Sequence, residues 1–155
     1  MTKTHFSPML VIKSGVTDLD FYKRALGAEE LRLILNDDGT IHVGEFSING
    51  AMFHFHEAGK GTADPVSAGA ITTIIGLFVD DVDAYTERAI KAGGRLVSPV
   101  QSYDYGYRQS QFTDPHGHRW QLQQKYKSVK PPQHLLWQQD NVRHLKQPYN
   151  LCLQQ

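Results

Sequence analysis

The sequence predicts an α+β fold in which two βαβββ modules form a cupped, eight-stranded mixed sheet around a cavity. Three observations lead to this prediction. The 155 residues are enough for one domain, or for two small halves that share a core. Strand-like and helix-like segments follow one another in the same order in both halves. Short stretches of the first half recur in the second at a nearly constant offset, which indicates a duplicated unit.

The first module spans residues 6–58. A short apolar run predicts its first strand, and we expect the helix that follows to be capped by Thr17 and to end at Gly27. Three strands complete the module, and Asn-Gly between the last two is typical of a β-hairpin. The predicted elements are a strand at 8–13, a helix at 17–27 and strands at 30–35, 41–48 and 51–58.

The second module spans residues 71–124 and repeats this order after a linker, residues 59–70, that is rich in Gly, Ala and Ser. The segment DLDFY resembles DVDAY at an offset of 63 residues, and NGAMFHFH resembles HGHRWQLQ at an offset of 67. Equivalent residues of the two modules should therefore occupy equivalent positions. The predicted elements are a strand at 71–79, a helix at 80–94 and strands at 95–100, 105–113 and 118–124.

Composition excludes several classes of partner. Sixteen basic and sixteen acidic residues cancel, so nothing in the charge balance favours nucleic acid or an anionic membrane. No apolar run approaches the roughly 18 residues of a membrane span, and the first ten residues lack the apolar core of a signal peptide. The only cysteine, Cys152, cannot form an internal disulfide. We therefore expect a soluble, cytoplasmic protein.

Four stretches carry a family resemblance that covers about residues 6–124: PMLVIK with DLDFYKRALGAEEL, IIGLFVDDVDAYTERAIKAGG, and YDYGYRQSQFTDPHGHRWQL. With the paired halves, they resemble the vicinal oxygen chelate superfamily of glyoxalase I, bleomycin resistance proteins and extradiol dioxygenases. The FYKRALGAEE and DPxGHRW stretches are most similar to its PhnB-like branch. The resemblance implies a single glyoxalase-like domain at residues 1–125, with the glyoxalase/bleomycin resistance fold, and a homodimer.

The resemblance also implies where a metal would bind. Metal-dependent members place one ligand on the first and one on the last strand of each module, and these positions fall on Ser7, His54, Ile74 and Gln121. Isoleucine cannot ligate, and the neutral serine and glutamine are poor ligands for a catalytic divalent ion. No cofactor is therefore expected. A divalent ion held by His5 and His54 is the weaker alternative.

Strand alternation suggests which residues contact a ligand. His54 and His56 point to the face opposite Phe53 and Phe55, which should pack beneath a helix, as should Trp120 and Leu122. The predicted ligand-binding residues are His54, His56, Gln121, Tyr105, Tyr107 and Arg108. A hydrogen-bonded strand face without chemistry, and an edge strand with paired aromatic residues, are the competing interpretations.

The turn that holds His116 and His118 has a structural explanation. Asp114-Pro115 can start the turn and Gly117 permits a positive φ, so the two histidines need not be metal ligands. Residues 126–155 are predicted to be a C-terminal extension that is either a short helix, at 133–147, or disordered.

The resemblance and these residues lead to one main hypothesis and two alternatives. The main hypothesis is a glyoxalase/bleomycin-resistance-like protein that binds a small, partly apolar molecule in the cavity between the modules, without the usual metal. The first alternative is a divalent-metal-dependent lyase, isomerase or dioxygenase of the glyoxalase type. The second is a protein–protein module that uses the C-terminal extension. No catalytic residue is predicted, although Glu45 could act as a base in the cavity.

Overall fold

The computed structural model describes residues 5–126, and the predicted C-terminal helix lies outside the described residues. Both modules have the predicted βαβββ order, and a short helix interrupts the linker between them. The elements are β1 (Met9–Ile12), α1 (Asp20–Leu26), β2 (Glu29–Leu35), β3 (Ile41–Ile48), β4 (Ala51–Glu57), α2 (Pro65–Ala68), β5 (Ile74–Phe78), α3 (Val82–Lys91), β6 (Arg95–Tyr103), β7 (Tyr107–Thr113) and β8 (Arg119–Lys125).

The eight predicted strands form two four-stranded sheets, in the orders β1-β4-β3-β2 and β5-β8-β7-β6. In each sheet the first strand of the module runs parallel to the last, and the other neighbours are antiparallel. Met9 pairs with His54, and Gly76 pairs with Gln121. Both members of the second pair follow their counterparts by the offset of 67 residues read from the sequence, so the predicted equivalence of the modules is confirmed.

The core lies between the two sheets, where both modules contribute aromatic side chains. The rings of Phe53 and Trp120 lie 5.9 Å apart, and those of Phe21 and Phe112 lie 6.1 Å apart. Tyr22 of α1 is fully buried and contacts the ring of Phe55 at 4.5 Å. The side of each sheet that faces the helices is therefore also the side on which the modules pack together. As predicted, the residues buried there include Phe53, Phe55, Trp120 and Leu122.

Asp114 joins the modules at the turn before β8. It is only 4% exposed, and one carboxylate oxygen accepts hydrogen bonds from the Tyr22 hydroxyl at 2.7 Å and the Trp120 indole at 2.9 Å. The other oxygen accepts from the backbone amides of His116 and His118, both at 2.9 Å. Burial, followed by the charge of Asp114 and the hydrogen bond to it, raises the pKa of Tyr22 well above its usual value.

The two histidines of this turn have structural contacts, in agreement with the structural explanation of the turn. The imidazole Nε2 of His118 lies 2.9 Å from the backbone carbonyl oxygen of Val11, across the module boundary. The ring of His116 stacks on that of Tyr22 at 6.0 Å, and burial lowers the pKa of His116. Gly117 has a φ of 92°, as the predicted turn requires.

Three boundaries differ from the predictions. Helix α1 begins at Asp20 without a cap from Thr17, because the Asp18 side chain accepts the Asp20 amide at 2.6 Å instead. The linker continues to residue 73 and contains α2, which the buried side chain of Asp64 caps. Strand β6 extends past Pro99 because pairing is irregular between Ser98 and Gln101, where a missing amide costs no ladder bond.

Candidate functional site

Each sheet has a second face that points away from the helices, which we call its open face. Alternation along the strands places His54 and His56 on the open face of the first sheet, while their neighbours Phe53 and Phe55 are buried on the other side. The same alternation places Gln121 on the open face of the second sheet. Because the modules pack through their helix-facing sides, the open faces lie on the far sides of their sheets.

One imidazole on the first open face lies between a hydroxyl and a carboxylate. The Ser7 hydroxyl oxygen is 2.8 Å from Nδ1 of His54, so the two positions predicted to share a site do meet. On the other side, Nε2 of His54 lies 4.0 Å from a carboxylate oxygen of Glu45, its partner on β3. Both side chains are partly exposed, 23% for His54 and 31% for Glu45, so a ligand can reach them.

The hydrogen bonds around Ser7 fix how His54 meets a ligand. The Ser7 hydroxyl also lies 3.2 Å from the backbone carbonyl oxygen of Met52, to which it donates. When it does so, Nδ1 of His54 must carry the hydrogen, and Nε2 is then an acceptor on the open face. A neutral His54 in this state can accept a proton or a hydrogen bond from a ligand, and a protonated His54 would pair with Glu45.

His56 belongs to a different group at the end of the same strand. Its Nδ1 donates to the backbone carbonyl of Glu57 at 2.7 Å, and its ring contacts that of His42 at 4.8 Å. Nδ1 of His42 is in turn 2.7 Å from the Glu57 carboxylate. Hydrogen bonds from His42 and then Asn36 lower the pKa of Glu57. His56 therefore has an adequate structural role, whereas His54 keeps one nitrogen for a ligand.

A chain of neutral amides, which we call the glutamine row, crosses the open face of the second sheet. Gln111 donates to Gln121 at 2.9 Å, and Gln121 donates to Gln123 at 3.2 Å. Gln109 donates to the same oxygen of Gln123 at 2.8 Å and accepts from the Tyr105 hydroxyl at 2.9 Å. The row offers hydrogen bonds without charge. Of its glutamines, the sequence analysis selected only Gln121 as a ligand contact.

Tyrosines extend the glutamine row at one end. The rings of Tyr103 and Tyr105 stack at 5.0 Å, and Tyr105 contacts Tyr107 at 5.8 Å. Tyr107 also contacts Phe78 of β5 at 6.0 Å. The ligand-facing and the cross-strand interpretations of these tyrosines are thus compatible, because paired rings still leave Tyr105 about half exposed, at 51%.

The structure separates Arg108 from the other predicted ligand contacts. It lies on the helix-facing side of β7 and forms two hydrogen bonds with Asp83 of α3, from Nε at 2.7 Å and from Nη2 at 2.6 Å. This ion pair lowers the pKa of Asp83. Strand alternation puts Tyr107 and Gln109 on the opposite face, so Arg108 has no place among the open-face residues.

The donor set at the family's metal positions does not fit a catalytic divalent ion. Ile74 offers only carbon, and both polar atoms of the Gln121 amide are already hydrogen-bonded. His54 has one strong neighbouring donor, Glu45, and His5 is exposed at the start of the described chain. Within residues 5–126, no three His, Cys, Asp or Glu side chains are grouped as metal ligands.

Three grooves lie elsewhere on the surface, and none is lined by the six predicted ligand contacts. The first, of about 510 Å³, is apolar and runs between β1, the linker and β5. The second, of about 480 Å³, lies between the linker and the ends of β6 and β7. The third, of about 370 Å³, lies beside Phe78 and Lys125. Within the part of the chain that the structure describes, no helix could span a bilayer.

The comparisons with known proteins agree on the fold. The model of the Glyoxalase/Bleomycin resistance protein/Dioxygenase superfamily matches residues 12–122. The uncharacterized protein Mb0911c of Mycobacterium bovis is 33% identical over 128 residues, which are 79% of this chain and 84% of that protein. The uncharacterized protein Rv0887c of Mycobacterium tuberculosis is also 33% identical over 128 residues, with 79% and 75% covered.

Two solved structures illustrate the likeness. TioX from Micromonospora sp. ML1 is 24% identical, with a TM-score of 0.58 over 82% of this chain and 100% of that one. FosX of Listeria monocytogenes, a genomically encoded fosfomycin resistance protein, is 22% identical, with a TM-score of 0.57 over 80% and 94%. At these identities the structures show a shared fold. With its two βαβββ modules and a family match over most of its length, the chain belongs to the glyoxalase/bleomycin resistance protein/dioxygenase superfamily.

Proposed function

We propose that this protein binds a small, partly apolar molecule against the open faces of its sheets, without the divalent ion that metal-dependent relatives use. The observation that carries the proposal is the pair of polar rows at equivalent positions of the two modules. The first row centres on His54 with Ser7 and Glu45, and the second centres on Gln121 in the glutamine row. A few fixed polar groups among apolar surface are typical of small-molecule sites.

Exposed apolar side chains support this proposal. Met9 of β1 is 63% exposed, and Ile74 and Phe78 of β5 are 50% and 56% exposed. All three lie on the open faces, beside the polar rows. Apolar residues grouped on one surface usually mark a ligand or a partner. The PhnB-like stretches of the sequence fit the same proposal, because the superfamily includes drug-binding proteins.

We propose further that a homodimer closes the cavity. In a single chain the two open faces point away from each other, so His54 and Gln121 cannot contact one ligand. Strands β1 and β5 lie at the edges of their sheets, with unpaired backbone groups that a second chain can cover. A second copy can thus place its glutamine row opposite His54. The cavity predicted between modules would then lie between modules of different subunits.

The metal-dependent alternative has weaker support. A mutant of FosX from Listeria monocytogenes has been crystallised in complex with Mn(II), but the family's metal positions in this chain include a carbon side chain and an amide already in use. A second candidate function follows from the first polar row instead. His54, held between Ser7 and Glu45, could act as a metal-independent general base on the bound molecule.

The test uses the full chain after treatment with a chelator. Its mass in solution is measured by light scattering, and a library of neutral and acidic aromatic compounds is screened by thermal melting. We expect a dimer and at least one compound that raises the melting temperature. His54→Ala and Gln121→Leu should abolish the increase, whereas Glu87→Gln, an exposed change on α3, should not.

Metal content is measured on the same sample. Stoichiometric zinc, nickel, iron or manganese that is lost in His54→Ala would contradict the metal-free proposal. A monomer that binds no compound would contradict the proposed binding site, since the open faces would then remain apart.

A further inference from the structure

Two arginines flank a threonine at the end of the second open face that lies opposite the tyrosines. Cross-strand pairing aligns Arg95 of β6 with Thr113 of β7, and Thr113 with Arg119 of β8. Directly opposed residues of antiparallel strands share a face, so all three belong to the open face. We call these three residues the arginine row. It is adjacent to the glutamine row along the strands.

Neither guanidinium of the arginine row has an acidic partner among residues 5–126. Arg119 donates to Gln111 at a long 3.4 Å, and its buried Nε has no hydrogen-bond partner within the described chain. Arg108, by contrast, is paired with Asp83 at 2.6 Å. Arginines without a carboxylate are suited to bind the oxyanion of a ligand, because their N–H groups match its geometry.

Thr113 gives an independent indication of a missing partner. It is 7% exposed, and within the described residues its hydroxyl oxygen has no hydrogen-bond partner although the oxygen is buried. Unsatisfied buried polar atoms are rare in folded proteins and call for a bound group. Thr113 and Arg95 line the groove of about 480 Å³ beneath the linker. Asp114 borders the same groove, but its carboxylate is committed to four other donors.

The rest of the open face favours an acidic ligand with an apolar tail. The strand register places fifteen residues on this face, and none of them is Asp or Glu: Arg95, Thr113, Arg119, Ile74, Ser98, Gln111, Gln121, Gly76, Gln101, Gln109, Gln123, Phe78, Tyr103, Tyr107 and Lys125. Residues two apart on a strand are about 6.6 Å apart, so about 13 Å separate Arg119 from Gln123, beside Phe78. A ligand of that length could reach from the arginines to the aromatic end.

We propose that the arginine row binds the carboxylate or phosphate of a small ligand whose apolar part lies along the glutamine row toward Phe78 and Tyr107. This inference rests on the proposed function and specifies the class of ligand: an elongated acid with a flat or apolar tail. The two guanidiniums hold the oxyanion, and the Thr113 hydroxyl donates to it. The neutral amides then contact the middle of the molecule without repelling its charge.

The experiment uses the full chain and a series of ω-phenylalkanoates (3-phenylpropanoate, 6-phenylhexanoate and 9-phenylnonanoate), each paired with its methyl ester. Affinities are measured by calorimetry at two salt concentrations. We expect the longer acids to bind about ten-fold more tightly than their esters, and the difference to shrink at high salt. Arg119→Gln should remove the difference between acid and ester, and Arg119→Lys should retain part of it.

Two further variants separate binding from folding. Arg88→Gln is the matched control, because Arg88 lies over the Tyr85 ring on α3 and away from this face. Thr113→Val deletes the unpaired hydroxyl, so it should raise the melting temperature of the free protein while weakening the acids. A variant that weakened acid binding only because it unfolded the protein would lower the melting temperature instead, which would contradict the assignment of Thr113.

The outcomes distinguish this inference from the proposed function. If acids and esters bind equally and His54→Ala or Gln121→Leu weakens both, the binding site stands and the arginine row is not an anion site. Acid binding that Arg119→Gln leaves unchanged leads to the same conclusion. If neither acids nor esters bind, and the compound library also fails, both proposals are overturned.

Discussion

Replacement of Asp114 tests how the two modules are held together. In Asp114→Asn one oxygen can still accept the backbone amides of His116 and His118, but an NH₂ group replaces the oxygen that faces Tyr22 and Trp120. The tyrosine hydroxyl can rotate and become an acceptor. The indole can only donate, so its N–H is left buried without a partner.

The size of the effect follows from these contacts. A buried donor left unpaired costs about 1–3 kcal/mol, and the loss of bonds to a charged acceptor adds to this, so we expect Asp114→Asn to lower the free energy of unfolding by about 3 kcal/mol. Tyr22→Phe removes one donor and leaves the acceptor satisfied by the indole, so it should cost about 2 kcal/mol or less. Urea unfolding followed by circular dichroism measures both values.

The pH dependence gives a second measurement of the same contact. The pKa of Tyr22 is higher in the folded protein than the usual 10.0, first because of burial and then because of Asp114. The neutral tyrosine therefore stabilises the fold fully below pH about 10, and this contribution is lost as the pH rises further. Tyr22→Phe should remove that part of the alkaline loss. An Asp114→Asn variant within about 0.5 kcal/mol of the original protein would refute the reasoning, since such a change is typical of an ordinary surface site.

Three other substitutions have expected outcomes. Arg108→Gln should cost less than about 1 kcal/mol in urea unfolding and leave ligand affinity unchanged, because its pair with Asp83 is partly exposed and lies off the open face; a large loss of affinity would return Arg108 to the site. Gly76→Ala places a Cβ 2.8 Å from the flexible Gln123 amide, so calorimetry should show weaker ligand binding while the melting temperature stays nearly constant; unchanged binding would remove the glutamine row from the site. Asp64→Ala deletes the cap of α2 and should lower the free energy of unfolding by about 0.5–2 kcal/mol, with no change if the cap is replaced by water.

Sequence patterns predicted most of the fold because they reflect local geometry. A period of two separated His54 from Phe53 and Phe55, and the offset of 67 residues gave the parallel register of both sheets before any coordinates. The same period already separates Arg108 from Tyr107, so the grouping of these two residues overlooked a signal that was present. Alternating glutamines before Phe112 could likewise have indicated Gln109 and Gln111.

The relative placement of the modules could not be predicted in this way. Each module buries the same helix-facing side whether its open face meets the other module of the same chain or that of a second chain. Periodicity is identical in the two cases. The choice depends on contacts such as those of Tyr22 with Asp114 and of His118 with Val11, which lie far apart in sequence and have no periodic signature.

The duplicated register has an evolutionary consequence. Every position of one wall has a counterpart with an independent history on the other, so a histidine at 54 and a glutamine at 121 can diverge while the backbone stays the same. One repeat keeps a group that changes protonation near neutral pH, and its sister has become inert to acid and base. Tandem copying thus supplies the raw material for a pocket with two chemically unlike halves.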